Sequence, residues 1–550
     1  MNGADAFVAT LREWGVDTFF GLPGSTEAPL LEALREDGGI RYVLALHEGV
    51  VVAMADGYAR AAGRPGVVGL HTTVGAMNGM SQLFNSAKDG VPVVMTVGHK
   101  DTSVLAEDGF CTIPDLASLL RPFTKRARQT LAPQSIAADL ARSLQAAVSS
   151  PSGPTFLAVP EDFMAAPVSL SPEPGSLPGL RRPVGLGSGP REEIEAAAKL
   201  LAQSSRPLLV LGTAGAPART QVAELARAAG IAVVAADLTD LASLSYQGSD
   251  PGYLGVYGDE PAVLDGCDLV LAVGCRVFYP FSHRLRPRLP EGAALVHIHP
   301  DAAQIGMAAA PTVGIVADPK RALQALLEAY VGLDVAKMIA ARRARLGELQ
   351  AKRAQALAEE LAASKGQSPV EMADLADAIS DALPEGTILV EEAVRGSRLI
   401  FRHCGVPKGG EIWRSSGGAL GWGLPAAVGA KLARPDRSVV AVVGDGTLHF
   451  SVQALWSAVS QRAPIVVVVL DNGGYLAVKR AIENMLRVPL DPRLHPGTEI
   501  QGVDHEAAAH AYGAEAVTVT SAAEAGAAIR EGLAAERVTV VVVPVAKIRP

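Results

Sequence analysis

Ser438-Val439-Val440-Ala441-Val442-Val443-Gly444-Asp445-Gly446 is an apolar run that ends in a carboxylate held between two glycines. A run of Val and Ala without alternation reads as a strand buried on both faces, which belongs to a parallel sheet covered by helices. Gly-Asp-Gly then sets Asp445 at the carboxyl end of that strand, where α/β sheets bind their ligands, and the glycines let backbone approach a diphosphate. Leu448 to Gln461 reads as one helix with Phe450, Leu455, Trp456 and Val459 on its apolar side. A second apolar strand, Pro464 to Leu470, leads into Asp471-Asn472. Strand, loop, helix and strand therefore deliver Asn472 beside Asp445. A carboxylate oxygen, an amide oxygen and the backbone carbonyl of Gly474 suit Mg²⁺, which takes few protein oxygens and completes its shell with diphosphate oxygens and water.

Outward from this unit the chain alternates helices with short apolar strands, so the expected fold class is α/β, with three doubly wound domains and mainly parallel sheets. Residues 1–168 carry strands at Thr18-Phe19-Phe20, Tyr42 to Ala45, Gly66 to Leu70, Val91 to Val97 and Thr155 to Val159. Residues 169–190 are crowded with Pro, Gly and Ser and read as a crossing linker. Residues 191–332 repeat the alternation through Pro207 to Leu211, Ile231 to Ala235, Leu269 to Val273 and Leu295 to Ile298. Gly212 to Gly215, after the first of these strands, lacks the full dinucleotide fingerprint and reads as a structural turn. Residues 333–367 form a helical linker whose Ala, Arg, Glu and Leu suggest a solvated helix from Ala336 to Lys365. Residues 368–550 make the third α/β unit, which contains the Gly-Asp-Gly strand.

With 550 residues and a net charge of −8, the chain exceeds one core and offers no basic surface for nucleic acid. It contains no run of roughly 18 apolar residues and no basic start followed by an apolar core, so a soluble, cytoplasmic protein with a small-molecule partner is expected. Cys111, Cys267, Cys275 and Cys404 show neither metal-ligand spacing nor disulfide density, and read as buried thiols.

Gly444-Asp445-Gly446 followed at this distance by Asn472 resembles the signature of the thiamine diphosphate (ThDP) enzyme family, and the likeness extends along nearly the whole chain. Leu46-His47-Glu48-Gly49, leading into Ala53-Met54-Ala55-Asp56-Gly57-Tyr58-Ala59-Arg60, matches the family's second motif. The resemblance implies an amino-terminal pyrimidine-binding domain and a carboxyl-terminal diphosphate-binding domain. It implies ThDP and Mg²⁺ as cofactors, with Glu48 activating the aminopyrimidine. Asp445, Asn472 and Gly474 would hold the metal, and Gly444, Gly446, Thr447 and Tyr475 would surround the diphosphate. Within Gly417-Gly418-Ala419-Leu420-Gly421, the Gly418 carbonyl would accept the cofactor's amino group and Leu420 would wedge it into its bent shape. Because activating and diphosphate-binding residues come from neighbouring subunits in this family, it also implies a homodimer or homotetramer with sites at the interface. Some relatives carry FAD or ADP in the middle domain, which the residues here do not establish.

Ser25 in Gly21-Leu22-Pro23-Gly24-Ser25 and His71 in Gly69-Leu70-His71-Thr72-Thr73 match the benzoylformate-decarboxylase branch. There the serine holds the 2-keto acid carboxylate and the histidine moves protons. One departure stands out: the branch has another histidine in its middle domain, where the alignment through Gly274 to Phe278 places Phe281. His283 or His449 would be its substitutes. Ala477 and Ala481 stand where aromatic residues enclose a phenyl ring, which implies a wider or more polar pocket, and the adjacent Lys479-Arg480 reads as mostly solvated. The expected activity is decarboxylation of a 2-keto acid: attack by the cofactor's C2 carbanion, loss of CO₂ and protonation to an aldehyde. The alternatives are a carboligase or carbon–carbon lyase of the acetolactate synthase or hydroxyacyl-CoA lyase type, acting on a keto acid or aldehyde, and a non-catalytic descendant that keeps the fold for binding.

Overall fold

The computed structural model describes residues 1–169, 185–246, 248–277, 289–333, 335–487, 495–500 and 502–546. Three sheets are built. The first runs β2-β1-β3-β4-β6-β5 from β1 (Thr18–Leu22), β2 (Arg41–Leu44), β3 (Gly66–His71), β4 (Val93–His99), β5 (Arg126–Gln129) and β6 (Thr155–Pro160). The second contains β7 (Pro207–Leu211), β8 (Ala232–Ala235), β10 (Tyr253–Val256), β11 (Leu269–Val273), β12 (Ala294–His299) and β13 (Val313–Val316), in the order β10-β8-β7-β11-β12-β13. The third comprises β14 (Ile388–Glu392), β15 (Glu411–Trp413), β16 (Val439–Gly444), β17 (Val466–Asp471), β18 (Glu515–Thr518) and β19 (Thr539–Pro544), and runs β18-β19-β17-β16-β14-β15. Taken from its other edge, this third order repeats that of the first sheet, so the amino- and carboxyl-terminal sheets share one topology. A two-residue strand from the middle of the chain, β9 (Ser243–Leu244), closes the third sheet by antiparallel pairing with β15; among the described residues every other ladder between these strands is parallel.

Two strands at sheet edges carry little strand signal of their own. β5 is Arg-Ala-Arg-Gln at a sheet edge, and β13 is a half-exposed edge. Conversely β16 is buried at every position, as its unbroken apolar run requires.

The first and third sheets are locked together by two helices, Glu48–Ala62 and Gly423–Ala433. At their crossing a Cβ on Gly57 would stand 2.0 Å from the Ala426 carbonyl oxygen, and one on Gly429 would stand 1.9 Å from that of Met54. Only glycine permits this approach of two backbones.

In the second sheet the strand order reverses between β7 and β11, the place where such sheets bind dinucleotides. Here two amides of the turn after β7 are already engaged: Gly212 N donates to Val273 O and Ala214 N to Gly274 O, both at 2.9 Å.

Helix Ala336–Ser364 matches its expected extent but not its expected full solvation. Arg342 is 3% exposed and donates to the carbonyls of Leu201, Ser204 and Ala229, capping the carboxyl ends of helices Arg191–Gln203 and Arg219–Ala229. The thiols differ too: Cys267, Cys275 and Cys404 are buried, whereas Cys111 is half-exposed. Among the described residues no helix is long and apolar enough to cross a membrane.

Candidate active site

β16 ends at Gly444, and Asp445 opens a single helical turn, Asp445–Leu448, in which all four residues are buried. The helix expected from Leu448 to Gln461 is interrupted. Bonds from Phe450 N to Thr447 O, Ser451 N to Leu448 O and Ala454 N to Ser451 O tighten residues 449–453, and a regular helix resumes only at Ala454–Ser460. This turns Phe450 outward, 52% exposed, against Gly421, where a Cβ would lie 2.6 Å from that of Phe450.

β17 pairs with β16 and carries Asn472 to Asp445, with Asn472 Nδ2 3.5 Å from Asp445 Oδ1. The Asp445 carboxylate also accepts from Gly474 N at 2.8 Å. Gly474 thus meets Asp445 through its amide, while its carbonyl accepts from Leu476 N at 3.0 Å and retains a second lone pair. Asn472 Oδ1 is buried without a hydrogen-bond partner. Burial pushes the Asp445 pKa above the usual carboxylate value, and Asp471 reinforces that, against the amides of Gly446 and Gly474. A buried carboxylate with a second one nearby and an orphaned amide oxygen fits a hard divalent cation.

Tyr475 N donates to Thr498 O, and Ile500 N donates to Gly473 O, so residues 498–500 lie along the loop. The Tyr475 ring covers Gly446, where a Cβ would approach it to 2.8 Å; Thr447 Oγ1 faces Gly444. In helix Leu476–Leu486, Ala477 and Ala481 are exposed. Lys479 is not solvated as expected: it is 1% exposed and 2.7 Å from Glu499. Arg480 bonds Glu483 at 2.7 Å. His449 is turned to His505, with Nε2 3.2 Å from Nδ1 and the rings stacked at 5.2 Å. Phe281 and His283 lie outside the described residues.

Gly418 is exposed with φ +84°. The carbonyls that follow it are fixed from helix Thr72–Asp89 of the same chain: Asn85 donates to Ala419 O at 2.8 Å and Gln82 to Leu420 O at 2.9 Å. Behind this segment lies a carboxylate that the sequence does not single out. Glu392, at the end of β14, accepts from Gly423 N at 2.7 Å and Trp422 N at 3.2 Å, yet burial pushes its pKa up to about 8. The unfolded chain, with its ordinary value of 4.5, loses this proton first. Stability of the ligand-free protein is therefore expected to fall as pH rises from about 5 to about 8. Glu392→Gln is expected to flatten that slope in thermal unfolding; parallel slopes in the two proteins would place its origin elsewhere.

At the first sheet, Glu48 is the first residue of its helix, with His47 Nδ1 accepting from Gly49 N at 3.0 Å. Its carboxylate accepts from Asn78 Nδ2 at 3.1 Å, within its own domain. His71 ends β3, and the loop after β1 wraps onto its ring: a Cβ on Gly24 would lie 2.2 Å from the ring. Ser25 opens a short 3₁₀ turn, Ser25–Glu27, and is exposed. Thr26 Oγ1 lies 2.9 Å and Glu27 Oε2 3.2 Å from His71 Nδ1. Sequence reading missed Thr26 and Glu27, although they directly follow the quoted motif. It missed His505 as well, which no motif marks.

Family profiles described as the N-terminal TPP binding domain, the central domain and the C-terminal TPP binding domain of thiamine pyrophosphate enzymes match residues 1–119, 194–326 and 398–543. Benzoylformate decarboxylase of Pseudomonas aeruginosa is 33% identical over 546 residues, 98% of each chain. The chain belongs to the thiamine pyrophosphate enzyme family. Within that family it is also 28% identical to a probable acetolactate synthase large subunit of Methanocaldococcus jannaschii, across 97% of this chain and 90% of that one. Its fold superposes on a thiamine diphosphate-dependent 4-hydroxybenzoylformate decarboxylase of Rhodococcus jostii RHA1 with a TM-score of 0.86 and 27% identity, covering 99% of both chains. The three-domain architecture of this thiamine pyrophosphate enzyme is thus that of known decarboxylases.

Proposed function

We propose that the protein is a Mg²⁺-dependent 2-keto acid decarboxylase of the benzoylformate-decarboxylase kind. The observation that carries this reading is the buried Asp445 carboxylate beside the partnerless Asn472 Oδ1 at the ends of two adjacent strands. Asp445, Asn472 and the Gly474 carbonyl would hold the ion, and Gly444, Gly446, Thr447 and Tyr475 would enclose the diphosphate. When bound, thiamine diphosphate would supply a nucleophilic carbon and an electron sink for decarboxylation. Glu48 holds a proton at the aminopyrimidine ring, the Gly418 carbonyl accepts its amino group, and Leu420 supports its bend. Ser25 binds the substrate carboxylate, and His71 returns a proton to the product.

Surfaces at both halves of this site are apolar and exposed. Leu46, Val74 and Met77 surround Glu48 at 45, 41 and 46% exposure, and Val394, Phe450 and Val478 flank the metal loop at 43, 52 and 46%. Such patches support burial by a second copy, with Glu48 of one subunit serving Asp445 of another in a homodimer or homotetramer. A second reading, carboligation of the acetolactate synthase kind, is favoured by one feature: exposed Ala477 and Ala481 leave room for an acceptor carbonyl.

The test mixes protein, ThDP and Mg²⁺ with benzoylformate or pyruvate, with and without an aldehyde acceptor, and follows CO₂ and products by NMR. Aldehyde is expected; acyloin or acetolactate would establish the second reading, and no CO₂ from either acid would overturn both. Asp445→Asn is expected to weaken Mg²⁺ and ThDP binding by more than about 100-fold, the upper range for changes outside the direct ligands. Calorimetric titration of the unreacted protein measures it.

A further inference from the structure

Glu27 is 4% exposed, and hydrogen bonds fix both its oxygens. Oε1 accepts from Gly98 N at 2.9 Å and Thr26 Oγ1 at 3.0 Å; Oε2 accepts from Gly24 N at 2.8 Å and lies 3.2 Å from His71 Nδ1. Thr26 Oγ1, 2.9 Å from the same Nδ1, also lies 3.0 Å from the Gly98 carbonyl. The threonine hydroxyl has one proton, and Gly98 O, like Glu27 Oε1 when that carboxylate is ionised, can only accept it. Its oxygen is therefore left to accept from Nδ1. An ionised Glu27 can likewise only accept, so both neighbours of Nδ1 require the proton to be there, and the lone pair of the neutral ring falls on Nε2.

The ring's position is fixed as firmly as its tautomer. Gly24 backbone lies so close to the imidazole that no side chain fits between them. The residue after His71, the buried and β-branched Thr72, has φ +50°, a strained conformation that persists only where its surroundings impose it. Strained backbone, a glycine contact and a buried carboxylate converge on one ring that is itself 24% exposed.

We propose that Glu27, assisted by Thr26, is a positioning residue that holds His71 as the Nδ1–H tautomer and presents Nε2 to the substrate as the proton-carrying atom. The inference rests on the proposed role of His71. In each cycle Nε2 takes up one proton to form the imidazolium and gives it up again to restore the Nδ1–H ring, while Glu27 exchanges none. The charge that forms in between lies beside the Glu27 carboxylate, which stabilises it as the carboxylate of a catalytic triad does.

The test is ¹⁵N NMR of histidine-labelled full-length protein without substrate, with the His71 signals assigned by their loss in His71→Asn. Wild type is expected to show the Nδ1–H tautomer at a pH where the ring is neutral. Glu27→Gln leaves one acceptor too few for the surrounding donors, and Thr26→Val removes the hydroxyl. Each is expected to move population toward Nε2–H and to lower kcat by about 10- to 100-fold with little change in KM. An Nε2–H ring in wild type, or a loss of kcat with the tautomer unmoved, would overturn the proposal. If Glu27→Gln does not fold, the wild-type and Thr26→Val spectra decide. The tautomer is read without turnover, so a failure of the decarboxylase reading appears separately, as absent CO₂ with the Nδ1–H ring intact.

Discussion

Glu48→Gln is expected to lower turnover by about 10²- to 10⁴-fold, the range for losing a positioned acid–base group, while folding and diphosphate binding survive. The side chain lies at the helix start, half-buried and bonded to Asn78, whereas the residues that hold the helix in place, Gly49 to Ala59, are buried beyond it. Loss of its charge at the helix amino terminus costs about 0.3–1 kcal/mol, too little to unfold the domain. Diphosphate binding is expected to persist because Asp445 and Asn472 lie in the other terminal domain. Titration calorimetry, thermal unfolding and steady-state kinetics on one preparation separate the three effects, and unchanged turnover would remove Glu48 from its proposed role. Mixing Glu48→Gln with Asp445→Asn tests where the site lies. If each site joins Glu48 of one chain to Asp445 of another, half the random pairs are mixed and each has one intact site, so about a quarter of sites recover activity. Sites confined to single chains would recover none.

The two central strands of the third sheet and the loops at their ends were legible because two signals coincided there: continuous apolar runs and turn chemistry that places Asp445 and Asn472 at their ends. Glu48, Ser25 and His71 were singled out by motif resemblance, and the structure sets them at a helix start, a 3₁₀ turn and a strand end of the first domain. What stayed hidden depends on contacts distant in sequence. Glu27 follows the motif by two residues, yet nothing local distinguishes it from a solvated acid; only the loop folding over His71 buries it. Glu392 is likewise one of two adjacent glutamates at the end of a strand, until the Gly421–Gly423 backbone covers it. Lys479 shows the opposite error, since a Lys-Arg pair on a helix reads as solvated while Glu499, twenty residues away, draws the lysine inside. The broken helix after Asp445 failed for a related reason. The apolar period of residues 448–461 is genuine, but the tight turns at 449–453 leave Phe450 half in solvent with its Cβ and backbone close against Gly421.

Arg60→Ala is expected to destabilise the protein by about 3–5 kcal/mol, because it strips the partner from two buried carboxylates together. Arg60 closes the motif that begins at Glu48, and the structure gives that end of the motif a mechanical role. Its guanidinium is 8% exposed and pairs with Asp56 and Asp89, both wholly buried, at 2.7 Å each. It donates to the carbonyls of Ala242, beside β9, and Arg414, beyond β15, at 3.0 and 3.2 Å, and lies 4.7 Å from the centre of the Trp422 ring. Asp56 accepts from Trp422 Nε1 at 3.0 Å, and Asp89 from the backbone and hydroxyl of Ser416. One side chain therefore ties the first domain to a strand of the middle stretch and to the segment carrying Gly418. Burial alone would pull its pKa down, but the two aspartates hold it above the usual arginine value, so it stays charged. Lysine cannot replace it, since a single ammonium lacks the fork that reaches two acids and two carbonyls. Arg60→Ala and Arg60→Lys are both expected to lower the first thermal transition, the alanine by about 6 °C or more. Hydrogen exchange should rise first in residues 414–422 and 242–244, where the clasp joins the domains. If the transition stays in place and exchange rises nowhere near the junction, the cluster is a by-product of packing, and the Gly57 and Gly429 crossing alone holds the terminal domains together.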